Sequence, residues 1–277
     1  MKKVFIQELN ATCQLVDSYQ DLRKKDLISI VRGAYMNPNS FESKIELLQK
    51  LFICPPDVWA VLIRPENRDE FWRLIQQLDW ILKGPDFRPV ASIRIRGQEM
   101  HLPDNDLAQV KTAEFVVATA HLIGFHSAKK DAIAIESLAR FMATIARPKP
   151  GIMERIKRAD GDQDPREELS TARADKRADL FKKADLVTMI IAAQWFNNAA
   201  NKMLAAYGMN GGDPEAAPIS QGIFVQDWER QIVRVAESQV YGGYDQVMAR
   251  PLADVLAFIE LKNDELRRKA QAGKNGR

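Results

Sequence analysis

Cysteine, histidine and long apolar runs are scarce in this chain of 277 residues. Cys13 and Cys54 are its two cysteines. They form no sequence pair and have no histidine at ligand spacing, so a disulfide framework is unsupported and a reducing compartment fits. The three histidines are His101, His121 and His126. His121 and His126 lie five apart around an expected helix end and lack a HExxH pattern, so no zinc site is expected. Ser127 follows His126 without the GxSxG context of an exposed nucleophile. The longest uncharged apolar run, Leu186–Asn201, contains Gln194, Asn197 and Asn198 and is too short and too polar to span a bilayer. The start, MKKVFIQELN, lacks the apolar stretch of a signal peptide, so a cytoplasmic protein without membrane association is expected.

Charge of a single sign is missing too. With 40 basic and 37 acidic residues the net charge is +3, which points to no nucleic-acid partner. No GxxxxGK[ST] loop occurs, and the pairs Gly211-Gly212 and Gly242-Gly243 are not GxGxxG following a strand, so a phosphate cradle is excluded. Asp160-Gly161-Asp162-Gln163-Asp164 opens like a calcium loop, but Pro165 and Thr171 fall where glycine and glutamate are needed. No catalytic, cofactor-binding or metal-binding residue is therefore expected.

What the chain has is helical periodicity. The stretch Val110–Pro148 reads as two helices joined by a polar turn. Thr112 is expected to cap the first, with Phe115, Val116, Leu122 and Ile123 on its apolar face and Gly124 as its stop. The second runs from about Lys130 through Ile135, Leu138, Met142 and Ile145 and ends before Pro148. Upstream, helices are expected from about Asp21, after Asn39 or Ser40, and from Asn67 with Glu70 as a capping box, the last continuing to Leu82. Val4–Val16 fits helix or strand. Ile93 and Ile95 alternate with arginines, and Met100 and Leu102 with Glu99 and His101. This predicts a small β-hairpin over about 91–102, turning at Gly97-Gln98 in a II′ turn.

Residues 149–178 carry eight Lys/Arg and seven Asp/Glu, and read as a solvated or mobile excursion. From about Asp179 the pattern resumes in one long helix that Gly208 closes. The glycine- and proline-containing stretch 209–222 is expected to be a flexible linker. Beyond it, helices over about Phe224–Gln239 and from Pro251 form a C-terminal helical module, 223–277. The expected fold is mainly α: a multi-helix main domain over 1–208, the hairpin, and the C-terminal module.

Five tryptophans, at 59, 72, 80, 195 and 228, fall on expected helix faces, where core packing is the default and a protein–protein surface the alternative. The basic end, with Arg267, Arg268 and Lys269, has acidic neighbours and no interleaved aromatics, as on a solvated helix end.

Three segments carry a family resemblance. Thr112, Glu114, Phe115 and Ala118 form a TxEFxxA helix, Arg147-Pro148 ends the next helix, and Tyr244, Val247, Pro251, Leu252, Leu256 and Ile259 follow a glycine-aromatic turn and a VxxxPLxxxLxxL pattern. In this order they resemble the helical tail-assembly chaperones of long-tailed bacteriophages and prophages, over roughly 85–207 plus the C-terminal module. The resemblance implies a protein without enzymatic activity or cofactor that keeps a long helical tape-measure protein soluble while tail-tube subunits polymerise around it. On this reading Phe224, Trp228, Tyr244, Leu252, Leu256 and Ile259 are the candidate partner-binding residues, presented by a module that covers or releases an apolar surface. Two competing readings are a structural tail or connector component, and a nucleic-acid-associated phage protein.

Overall fold

A computed structural model of the chain describes residues 1–6, 10–36, 40–157, 164–209 and 221–275. It is mainly helical, with two small antiparallel sheets. The described backbone divides into two compact units: Met1–Pro89 with Leu186–Trp195, and Val90–Asp185 with Phe196–Arg277. This division differs from the expected one, because the C-terminal helices fall in the same unit as the central helices. Most of the expected linker, 210–220, lies outside the described residues, as does most of the calcium-loop-like stretch, 160–163.

In the first unit, β1 (Lys2–Ile6) and β2 (Ala11–Leu15) pair as a hairpin in register Lys2↔Leu15 to Ile6↔Ala11. This settles as strand the segment whose sequence fits either state. A two-residue strand, β3 (Phe52–Ile53), adds to β2 through Gln14↔Ile53 and Leu15↔Phe52. Around this sheet pack α1 (Lys24–Met36), α2 (Phe41–Leu51), α3 (Pro56–Leu62), α4 (Arg68–Gln76) and α5 (Trp80–Lys83). Ser40 caps α2 as expected, its hydroxyl accepting from Ser43 N–H at 3.3 Å. Asn67 does not close a capping box: its amide donates to the Val61 carbonyl at 3.0 Å, tying α4 back to α3. The one helix expected through Leu82 is two, broken at 77–79. Leu15, Ile30, Leu48, Leu51 and Ile81 are buried together with Val187 and Ile191. Tyr19 reaches through this core, its hydroxyl donating to the Ile81 carbonyl at 2.5 Å and its ring meeting Trp80 edge-on at 4.9 Å. Burial pushes the Tyr19 phenol well above its ordinary value, so it stays a neutral donor.

In the second unit, β4 (Ser92–Ile95) and β5 (Gln98–His101) form the expected hairpin, but the turn lies one residue earlier, at Arg96-Gly97. Both turn residues have positive φ, 49° and 83°, the I′ geometry that matches strand twist, rather than the expected II′ turn. The long helices are α6 (Thr112–Ser127) and α7 (Asp131–Ile145), then, beyond a short α8 (Ile152–Lys157), α9 (Thr171–Phe181), while α10 (Leu186–Ala206) belongs to this unit only from Phe196 onward. The single helix expected from about Asp179 is thus the end of α9 and all of α10. The C-terminal helices are α11 (Gln221–Glu237), α12 (Tyr244–Ala249) and α13 (Leu252–Asn275).

α6 is covered by α7, α11, α12 and α13, so its apolar residues need not lie on one stripe. Gly124 does not stop it. A side chain there would press on the Ser137 Oγ of α7 at 3.2 Å, so this glycine permits close helix approach and the helix continues three residues further. Nor is Thr112 the cap: it is the first helical residue, and its N–H and hydroxyl both donate to the Arg250 carbonyl, at 2.9 and 3.2 Å.

The β2–β3 register places Cys13 opposite Cys54, and the two thiols are in hydrogen-bond contact although the cysteines are free and 41 positions apart. Burial raises both thiols, helped for Cys54 by Cys13 and Asp57, and Cys54 reaches about 11. The reactive thiolate is therefore suppressed at neutral pH. In the native protein at pH 8, Cys54 should be alkylated by iodoacetamide on the order of a hundredfold more slowly than a free thiol, with both cysteines reacting at ordinary rates after denaturation. Mass spectrometry of a time course measures this, and rapid native labelling would contradict it.

Candidate functional site

The N-terminal end of α6 holds the most concentrated polar chemistry among the described residues. Glu114, in the first turn, is fully buried. Its carboxylate accepts from Arg147 Nη2 at 2.6 Å, and from Arg166 Nη1 and Nη2 at 2.6 and 3.1 Å. Asp164 closes the cluster, accepting from Arg166 Nε and Nη2 at 2.8 Å each and from Arg147 Nη2 at 3.2 Å. Backbone carbonyls take further guanidinium protons, Glu167 from Arg147 at 2.5 Å and Ile145 from Arg166 at 2.7 Å. Beside it Arg177 donates to the Glu167 carboxylate and, at 3.0 Å, to the Ala143 carbonyl. All six charged residues are buried.

Two carboxylates face two guanidiniums in the inner cluster, and Glu167 faces Arg177, so the interior carries no net formal charge. That balance is what makes such burial tolerable, since an unpaired ion there costs several kcal/mol. Burial opposes ionisation of Asp164, yet the guanidiniums of Arg166 and Arg147 outweigh it and hold the carboxyl below its ordinary value. Arg166 is raised, its two carboxylates overcoming burial, whereas Arg147 is lowered, by burial first and by neighbouring Arg166. The carboxylate oxygens are occupied by guanidinium protons and removed from solvent. The cluster acts as a clamp between α6, the end of α7 and the chain entering α9.

The solvated excursion expected over 149–178 is corrected here. Four of its charges do bury, because Asp164, Arg166, Glu167 and Arg177 are each other's partners or those of Glu114 and Arg147, whereas Lys149, Arg155, Glu168, Arg173, Asp175 and Lys176 stay in solvent. Glu114 and Arg147 belong to the motifs singled out in sequence. Asp164 was singled out only as part of a calcium-loop-like stretch, and Arg166 had no sequence signal.

The C-terminal motif meets the same place. Leu252 N–H donates to the Val110 carbonyl at 2.8 Å, and a β-bridge joins Lys111 to Pro251. Leu252 and Leu256 are fully buried and Ile259 is 7% exposed, so these three candidate partner-binding residues belong to the core. The correction has a simple cause: the apolar stripe of α13 packs on α6 and α11 of its own chain. Trp228 is half-buried, its ring against Phe115 at 5.2 Å, with half-buried Phe224 at 6.3 Å. Of the six, only Tyr244 is substantially exposed, at 40%. Val225, Val233 and Val240, not singled out in sequence, are exposed nearby in the chain.

His121 is half-buried and His126 exposed, and desolvation lowers both imidazoles. No group of three or more His, Cys, Asp or Glu among the described residues is arranged to hold a metal ion. No described helix is long and apolar enough to cross a membrane. Compared with protein-family models, curated proteins and solved structures, the chain matches none.

Replacing Glu114 by glutamine leaves two buried guanidiniums sharing one carboxylate, and should cost about 3–5 kcal/mol of stability. Chemical denaturation of E114Q, with R147M as the reciprocal break, tests this, and a loss under about 1 kcal/mol would show the clamp to be dispensable. The depressed Asp164 carboxyl adds a pH dependence. Its contribution is present above the ordinary aspartate value near 4 and is lost as pH falls through its lower folded value. Wild type should therefore lose stability below about pH 4, and D164N should lack that part of the slope.

Proposed function

We propose that this chain is a non-enzymatic assembly factor, a tail-assembly chaperone of the long-tailed phage type whose client is a long helical tape-measure protein. The observation that carries the reading is the convergence of the three resembling segments. Glu114 of TxEF ion-pairs with Arg147 of the Arg-Pro end, and the PLxxxL segment hydrogen-bonds to the backbone just before the same helix. Residues separated by 33 and 138 positions thus serve one junction. Motif residues far apart in the chain that meet at one junction support reading them as parts of one architecture.

The surface assigned to the client differs from the sequence expectation. With Leu252, Leu256 and Ile259 in the core, client contact falls to side chains left in solvent beside them, Val225, Val233, Val240 and Tyr244. Exposed apolar residues of this kind suit transient capture of an amphipathic helix, which needs no catalytic group. The charge balance supports a protein client over nucleic acid, since Arg267 is already paired with Asp264 at 3.2 Å.

Truncation before α11 would strip α6 of its cover, so the test uses the full chain. Tagged protein is co-expressed with its neighbouring genes, captured, and its companions identified by mass spectrometry, with finished particles assayed for its presence. A very long helical chain kept soluble by the wild type, recovered several-fold less with V233D/Y244D, and absence of the protein from particles are the expected results. Stoichiometric presence in particles would replace this reading with a structural tail component. Retention on DNA that is lost with salt would replace it with a nucleic-acid role.

A further inference from the structure

The first unit carries a groove of about 520 Å³ that neither the cluster on α6 nor the client surface uses. Its apolar floor is Ile45 of α2, Leu62 at the end of α3 and Phe71 of α4. Phe41 and Trp72 form one wall, their rings 5.7 Å apart, and Phe41 also meets Phe71 edge-on at 5.8 Å. The lips are open: Phe41 is 45% and Ile63 56% exposed, an arrangement that costs solvation with nothing in the unit to offset it. The shape is preset. Pro65 fixes the backbone between α3 and α4, and the Asn67 amide holds that corner to the Val61 carbonyl.

The charged residues lining the groove are all cations. Lys44 lies 5.6 Å from the centre of the Trp72 ring, and Arg64 and Arg68, both exposed, stand at the α3–α4 side. No carboxylate lines it. Two carboxylates on the same helices are engaged elsewhere, Glu42 with the Ser40 hydroxyl at 2.7 Å and Glu70 with Arg73 at 2.7 Å. An apolar trough with cationic lips selects a ligand that is apolar along one face and anionic along its edges.

We propose that this groove is a peptide-binding site for an acidic amphipathic helix of another protein, which inserts one or two large apolar side chains between Phe41, Ile63 and Trp72 and sets flanking Asp or Glu against Arg64 and Arg68. The open lips match a helix laid along the surface, which anchors through residues three or four apart, more closely than a small molecule that must be enclosed to be held. The assignment rests on the first unit alone and does not depend on the assembly role.

Two fluorescently labelled peptides of about twelve residues test it by anisotropy with the full-length protein, both having leucine and phenylalanine at helical spacing, one filled with glutamate and the other with lysine. The acidic peptide should bind, weakening about tenfold between low and 0.3 M salt, and the lysine peptide should not. R64E/R68E changes exposed side chains only. It should cost at least tenfold for the acidic peptide and raise affinity for the basic one, with an unaltered circular dichroism spectrum. I63D should remove binding of the acidic peptide. Absent or equal binding of the two peptides, or indifference to R64E/R68E, would overturn the proposal. So would displacement of the acidic peptide by decanoate below its micelle-forming range, which assigns the groove to small amphiphilic anions. Concentration-dependent self-association abolished by R64E/R68E would assign it to a second copy of this chain.

Discussion

Glu114 is the constraint on which the second unit depends. A carboxylate with no solvent access must be met by cations, and here two guanidiniums converge on it from sequence positions 33 and 52 residues away. Each arginine then requires further acceptors, which Asp164 and the carbonyls of Ile145 and Glu167 provide. The requirement therefore spreads outward until the donors and acceptors of three chain segments are held in one geometry. Such a cluster adds little net stability over an apolar core of equal volume, but it permits few alternative arrangements. Its effect is to set the register of α6, the end of α7 and the entry to α9.

The same end of α6 receives other long-range ties of this unit. His101 and Arg147 exchange backbone hydrogen bonds at 2.7 and 3.1 Å, so the β4–β5 hairpin is anchored to the residue that pairs with Glu114. From the opposite end of the sequence, Arg250 and Leu252 bond to Thr112 and Val110. A hairpin that would not persist alone and a helix whose stripe would otherwise face water are each stabilised by a partner that also supports the cluster. The C-terminal helices consequently belong to the core of this unit. That leaves a smaller set of peripheral apolar side chains, Val225, Val233, Val240 and Tyr244 among them, in solvent.

The first unit is built on other terms. It has few buried charges and relies on apolar packing of short helices over a small sheet, with Tyr19 as the main polar group reaching into it. Short helices pack with corners, and the corner between α3 and α4 leaves a trough that their own side chains do not fill. The groove thus follows from the same geometry that lets the helices of this unit cover its sheet.

Much of the helical architecture was legible in sequence, because apolar period, proline stops and the Ser40 cap are local properties. The β4–β5 hairpin was readable for the same reason, although its turn position depended on two positive-φ residues, Arg96 and Gly97, that alternation does not locate. The motif residues Glu114 and Arg147 could be singled out, but not the fact that they touch. Tertiary structure alone decided that part of a stretch dense in charge is interior, since burial of Asp164 and Arg166 depends on partners from distant positions that composition cannot supply. It also decided that Gly124 permits close packing and does not end a helix, that Cys13 and Cys54 meet across a strand pair, and that Leu252, Leu256 and Ile259 are core. Local sequence determined which segments are helices and which face of each is apolar. What those faces meet, and therefore which remain open to another molecule, is a property of contacts across more than a hundred residues.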